Sequence, residues 1–362
     1  LSQLITQDNV DSVYCLVRAS SASAATERVL ATLWSKLIPP VYTRKVVYLP
    51  ADLSREDLGL DSLVISTLKT KLTKVLHCAW AVNFNLGVSS FEQQHIRGTH
   101  NLLNLCLSVS TPKPASLFFC SSISAAAGTP LPANIGETFI PDLSHAQSMG
   151  YARSKLVTEN IIKAAASKTG MRGRVLRVGQ IVGDSATGLW NSTEAIPLMI
   201  RSATTIGALP ELDETPSWMP SDLVAKAILE LSGVIPSVSS SFASITEDDN
   251  VVYHVQNSHL FHWTNDLLPA LRSSGLEFRN VSQREWVQLL RESDIDPVKN
   301  PTIKLLDFFA EKYDNEKAGR KALVFATEKS GIVSKTVASG YDVVYSGLVG
   351  KMVQKWKMEW AV

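Results

Sequence analysis

The chain has 362 residues, 45% of them hydrophobic and 19% charged, which suits a well-buried globular enzyme and excludes a disordered or fibrous chain. Its formal net charge of +1 gives no electrostatic case for nucleic acid or an anionic membrane as partner. The four cysteines, Cys15, Cys78, Cys106 and Cys120, sit in apolar runs without C-x-x-C spacing and read as reduced core thiols of a cytoplasmic protein, and no apolar run reaches the length of a membrane span.

Short apolar runs alternate with amphipathic segments from the start. VYCLV (13–17) precedes a helical pattern around ATERVLATLWSKL, and VVYLP (46–50) precedes a helix near DSLVISTLKTKL. VLHCAW (75–80) leads into a long helix, FEQQHIRGTHNLLNLCLSV; SLFFC (116–120) leads to a helix opening at GYARSKLVTENIIKAAA; RGRVLRV (172–178) closes the series. Continuous Val, Ile and Leu runs bounded by turn residues suit strands buried on both faces, and right-handed crossovers leave few ways to connect them. The alternation predicts an α/β fold, a Rossmann-type doubly wound parallel sheet.

Past residue 180 the rhythm breaks. Pro, Gly, Ser and Thr crowd 183–220, and SGVIPSVSSSFAS (232–244) reads as an exposed loop. VVYHVQN (251–257), WTNDLLPALRSSG (263–275) and SQREWVQLLRES (282–293) predict one strand and two helices, and the tail from Pro301 mixes helix and loop. This divides the chain into a larger domain over 1–235 and a smaller C-terminal lobe over 236–362, to which 183–220 contributes. In an open α/β fold such a lobe lies over the mouth of the sheet, where ligands bind.

YARSK sets Tyr151 and Lys155 four residues apart, about one helical turn, so both project from one face. A lysine ammonium beside a tyrosine favours phenolate and lowers the phenol pKa, which fits the tyrosine for acid or base work on a carbonyl or alcohol. Y-x-x-x-K alone arises by chance in many helices, and FFCSSIS (118–124) supplies the support. A strand ending in Ser121 and Ser122 would deliver a hydroxyl to the carboxyl end of the sheet, where with the tyrosine it can polarise a carbonyl oxygen. The other reading is that these serines only form the strand-to-loop turn. His254, His259 and His262 fall on a strand and a loop with no thiolate or carboxylate completing a site, so they read as structural and no metal is expected. Asp222 reads as a helix start, and Trp218 and Trp263 as packing.

On FFCSSIS and GYARSKLVTE, with VYCLVRA (13–19), LPADLS (49–54), VLHCAWAVNFNLGVSSFEQQHIRGTHNLLNL (75–105), RVGQIVGDSATGLWN (177–191) and WMPSDLVAKAI (218–228), the chain resembles the extended short-chain dehydrogenase/reductases. Within them it is similar to the thioester reductase domains of non-ribosomal peptide and polyketide synthetases, carboxylic acid reductases and fungal adenylate-forming reductases. The block H-C-A-W-A-V-N-F discriminates, and the resemblance covers about residues 1–265. It implies NADPH as cofactor, an NADP-binding domain over 1–235 and a substrate-binding lobe after it. Ser122, Tyr151 and Lys155 would be the catalytic set, with Ser124 as the substitute if the serine register slips by a turn. Arg18 would meet the adenosine 2′-phosphate, which a guanidinium suits bidentately. Asp52 and Leu53 would border the adenine, with Asp52 otherwise a turn residue. His77, Cys78 and Ala79 would line the cofactor path, Lys155 would also hold the nicotinamide ribose, and Val178, Gly179 and Gln180 would lie by the carboxamide.

The implied activity is reductive release of an acyl or peptidyl thioester from a phosphopantetheinyl carrier protein, as an aldehyde or further as an alcohol, with no nucleic acid or membrane partner. The alternatives are an enzyme of the same superfamily acting on a free carbonyl or alcohol, and a domain that keeps the fold without redox work, cyclase-like or inert. One departure stands against the resemblance. The family's first strand and its T-G-x-x-G-x-x-G turn, whose backbone approaches the pyrophosphate, have no counterpart before VYCLV. LSQLITQ reads as the remainder of the helix after that turn, and the expectation is either a piece of a longer protein or a natural truncation, in both cases a chain that binds NADPH poorly by itself. A fluorescence titration reaching micromolar affinity would overturn that expectation.

Overall fold

The computed structural model describes residues 1–39, 44–236, 250–314 and 323–360. In chain order the strands are β1 (Val13–Val17), β2 (Val46–Pro50), β3 (Lys74–His77), β4 (Ser116–Ser122), β5 (Ala133–Ile135) and β6 (Gly173–Val178). They continue with β7 (Ile181–Val182), β8 (Ala208–Glu211), β9 (Met219–Pro220), β10 (Asn250–Val255), β11 (Arg279–Ser282) and β12 (Leu323–Phe325). The helices that matter below are α1 (Ser2–Ile5), α2 (Ala22–Ser35), α3 (Ser62–Lys71), α4 (Gly98–Leu107) and α5 (Gly150–Thr169). β1, β2 and β6 coincide with apolar runs read from the sequence. VLHCAW is strand only as far as His77, because its pairing with β4 stops at His77 opposite Phe119.

The chain forms two compact units that interleave: Leu1–Gly179, Ala225–Val255 and Ala322–Ser339 in one, Gln180–Val224, Gln256–Lys321 and Gly340–Val362 in the other. A single cut between 235 and 236 is therefore replaced by several crossings. The cause is local: the strand VVYHVQN, expected in the C-terminal lobe, is β10 and pairs parallel with β6, and β12 returns to pair with β5.

The first unit is built on two parallel sheets, β2-β1 and β3-β4-β6-β10. β1 and β3 lie in different sheets, and neither has a strand on its second edge among the described residues. Leu117, Phe119 and Val175 from the central strands pack with Leu102 and Cys106 of α4 and Ile162 of α5. α5 buries Ala152, Leu156, Ile162 and Ala166 and ends at Gly170, whose φ of 67° is the left-handed cap that glycine adopts without strain. Of the stretch 232–244, Ser232 and Val234 are buried rather than exposed, and residues 237–244 lie outside the described ones.

The second unit pairs β8 with β11 and β7 with β9, both parallel. Its core is aromatic: Trp190, Trp218, Trp263, Trp286 and Trp356 are all buried in one cluster. The Trp263 indole donates to the Pro210 carbonyl (2.9 Å) and that of Trp286 to Ser202 (2.9 Å), so Trp218 and Trp263 are packing residues. Asp222, in the first turn of the helix Ser221–Leu231, accepts from the backbone and hydroxyl of Ser185 (2.9 and 2.6 Å). No described helix is long and apolar enough to cross a membrane.

Candidate active site

β4 runs past the end of β3 because it stays paired with β6, Ser121 opposite Arg177 and Ser122 opposite Val178. The two-residue alternation of a strand then separates the serines. Ser121 is buried and donates to Glu159 Oε1 (2.6 Å). Ser122 is half-buried and caps the short turn Ile123–Ala125, its Oγ accepting from the Ser124 backbone N–H (3.2 Å) and hydroxyl (3.0 Å). Ser122 thus forms the strand-to-loop turn, with Ser124 as its hydrogen-bond partner.

α5 opens at Gly150 for a steric reason. A Cβ there would sit 2.2 Å from the Leu86 carbonyl oxygen and 2.5 Å from Gly87 C, so only glycine lets the loop 86–88 cross the helix start. That loop leaves Phe84 edge-on to Tyr151, with ring centroids 5.4 Å apart, and Phe91 at 6.4 Å. Ser122 lies near enough to Tyr151 to favour its phenolate. One turn on, Lys155 Nζ donates to the Cys120 carbonyl oxygen (2.6 Å) and lies over the rings of Trp80 (4.3 Å), Phe119 (4.7 Å) and Tyr151 (5.7 Å).

The electrostatics differ from the sequence expectation. Burial pushes the Tyr151 phenol up, only partly offset by Ser122, and the lysine does not pull it down. Burial instead holds Lys155 down to about 7, against the upward pull of Cys120, Cys78 and Glu159. Burial thus makes the Lys155 proton easier to remove than that of an exposed lysine.

The predicted cofactor residues fall into three groups. Arg18, just past β1, is exposed, and its guanidinium has no hydrogen-bond partner among the described residues. Ala79 and Cys78 are exposed past the end of β3, and Val178 ends β6, with the Gly179 N–H donating to Val255 (3.0 Å). Asp52 and His77 are committed elsewhere. Asp52 Oδ1 accepts from the backbone and hydroxyl of Ser54 (3.0 and 2.6 Å) and from Gln94 (3.1 Å), which hold its carboxyl low. His77 is buried, sits 3.1 Å from the Thr99 hydroxyl and is pushed down to about 3 by burial. Leu53 packs on the core and its carbonyl accepts from Asn101 (2.9 Å). Gln180 belongs to the second unit, where its side chain donates to the Ile181 carbonyl (2.7 Å). The exposed guanidinium and a Lys155 ammonium with one hydrogen bond for three donors suit a phosphate and a ribose respectively.

Sequence reasoning missed the groups that hold Lys155 and its helix. Trp80 and Phe119 supply aromatic faces for the ammonium, and the Trp80 indole donates to Ser154 (3.3 Å). Below them Glu159 is paired bidentately with Arg177 (2.7 Å from Nη2, 3.1 Å from Nε), and Arg177 Nη1 lies 3.4 Å from His254 Nε2. A charged residue within the apolar run RVLRV was the available signal. His254 is structural, with Nδ1 2.6 Å from the Ala326 carbonyl, and so is His262, whose ring caps the turn at Trp263. Among the described residues no three His, Cys, Asp or Glu side chains cluster as metal ligands would.

Comparison with known proteins gives one family and a shared fold. An NAD-binding family described as Male sterility protein matches residues 1–228. An adenylate-forming reductase of Heterobasidion annosum is 29% identical over 94% of this chain and 31% of its own length. A carboxylic acid reductase of Neurospora crassa is 32% identical over 97% of this chain and 32% of its own length. The chain therefore spans about a third of the curated relatives it matches. The terminal R domain of the myxalamid PKS-NRPS biosynthetic pathway has the same fold, with a TM-score of 0.77 at 21% identity, covering 96% of this chain and 84% of that one.

Proposed function

The chain belongs to the NAD-binding family described as Male sterility protein, and from that premise we propose that it is an NADPH-dependent reductase that releases a carrier-bound acyl or peptidyl thioester as an aldehyde. The observation that carries this reading is the placing of Ser122 at the end of β4 and of Tyr151 and Lys155 one turn apart at the start of α5, with Lys155 donating to the Cys120 carbonyl of the same strand. Relatives that are adenylate-forming and carboxylic acid reductases support the substrate class, and an R domain from a PKS-NRPS pathway supports a phosphopantetheinyl carrier as partner. A cytoplasmic location, where free thiols persist, is part of the same proposal.

When bound, NADPH supplies the hydride that reduces the thioester carbonyl carbon. Arg18 and Lys155 are the residues that would hold it, on the adenosine phosphate and the nicotinamide ribose. Ser122 and Tyr151 donate hydrogen bonds to the carbonyl oxygen as negative charge grows there, and one such donor contributes about 3 kcal/mol to the transition state. Tyr151 gives up its proton to that oxygen, and Lys155, whose proton is loosely held at neutral pH, restores it. Trp80 and Phe119 cover the ammonium and keep water from it. The resulting hemithioacetal expels the carrier thiol and leaves the aldehyde, and a second round gives the alcohol.

The test is NADPH oxidation and aldehyde formation with an acylated carrier, at NADPH concentrations high enough to offset weak binding by this chain, comparing it with Tyr151→Phe. Turnover reduced by roughly a hundredfold or more in the variant is expected. Equal rates would remove Tyr151 from the mechanism. Reduction of free aldehydes with no use of the thioester would favour a small-molecule carbonyl substrate instead.

A further inference from the structure

The pair Cys78 and Cys120 is not used by the mechanism above. The two cysteines follow the pair His77 and Phe119, Cys78 directly after the end of β3 and Cys120 within β4, and their Sγ atoms are 3.2 Å apart. Two sulfurs this close need to approach by only about 1 Å to reach the ~2.05 Å of a disulfide. Cys78 is exposed and open to a small oxidant, while Cys120 is half-buried behind it. Lys155, which donates to the Cys120 carbonyl oxygen, places an ammonium beside both. Cys106, by contrast, lies wholly buried in the core.

We infer that Cys78 and Cys120 form a reactive dithiol, a covalent modification site that a hydroperoxide oxidises to an intrachain disulfide. Cys78 is the attacking sulfur because its residue is the more exposed of the two. The hydrogen bond with Cys120, and then the charge on Lys155, hold its pKa down to about 7, while the same hydrogen bond and burial push Cys120 up. In the first step the Cys78 thiolate takes one peroxide oxygen, becomes a sulfenic acid, and the other oxygen leaves as water. In the second the Cys120 sulfur attacks Cys78 and expels that hydroxyl as a second water. Two thiols lose two protons and two electrons, and one peroxide becomes two waters. The inference stands on the sulfur geometry and is independent of the reductase reading.

The experiment exposes the native, full chain to a modest excess of hydrogen peroxide, alkylates the remaining thiols after unfolding, and maps peptides by mass spectrometry without reduction. A Cys78–Cys120 cross-linked peptide lacking two hydrogens is expected, reversed by dithiothreitol, with Cys106 recovered as an alkylated thiol. Recovery of Cys78 and Cys120 as free thiols, or of each carrying its own oxidation product, would overturn the inference. Cys120→Ser supplies the second arm: without its partner Cys78 should stop at the sulfenic acid and take up dimedone, which the unaltered chain should not. Equal dimedone labelling of the two would also overturn it.

Discussion

Lys155 and Glu159 stand one turn apart on α5, both almost fully buried at 3% and 0% exposure, and their surroundings are opposite. Glu159 is compensated on every side: Arg177 meets it bidentately and Ser121 donates a further bond. Lys155 has a single carbonyl acceptor and three aromatic faces, with no carboxylate in contact. A charge buried with its partners is a structural element, whereas one buried without them is driven towards neutrality and becomes available for proton transfer. One helix thus carries a fixed charge and a working one on neighbouring turns.

The comparison breaks first at Glu159. Glu159→Gln leaves the buried Arg177 guanidinium without its carboxylate, and the expected loss is about 3–5 kcal/mol in urea unfolding. A loss below about 1 kcal/mol would show that the pair is not structural. Lys155→Met should do the reverse, leaving unfolding stability unchanged or raised because an uncompensated charge is removed, while reduction slows by roughly a hundredfold or more.

A smaller effect concerns acid. His77 and His254 are held down to about 3 and about 4, chiefly by burial, against 6.5 in the unfolded chain. Between those values the unfolded chain binds more protons than the folded one, so stability falls as pH falls from 6.5 towards 4, by up to about 3 kcal/mol for each histidine. Urea unfolding at the two ends of that range checks it, and equal stabilities would mean that the folded histidines protonate freely.

The local half of this arrangement was legible in the sequence. VYCLV and VVYLP became β1 and β2 without shift, since continuous apolar runs flanked by turns leave little choice, and Tyr151 and Lys155 fell on the first turns of a helix as their spacing required. Nonlocal pairing was not legible. Cys78 and Cys120 are 42 residues apart and meet only through the β3–β4 register, and Arg177 reaches Glu159 across the helix–sheet interface. The cut near 235 failed for the same reason, because β10 and β12 carry later segments back to earlier strands. The phenol shift was misjudged because spacing reveals a neighbour but not the burial of both groups, which here outweighs it.

The account rests most directly on the state of Lys155. Its side-chain titration, followed by NMR of the chain labelled at lysine Nζ and assigned with Lys155→Met, should show a midpoint near 7, far below the ordinary 10.5. An ammonium that stays protonated beyond pH 9 would contradict the distinction between the working and the structural charge.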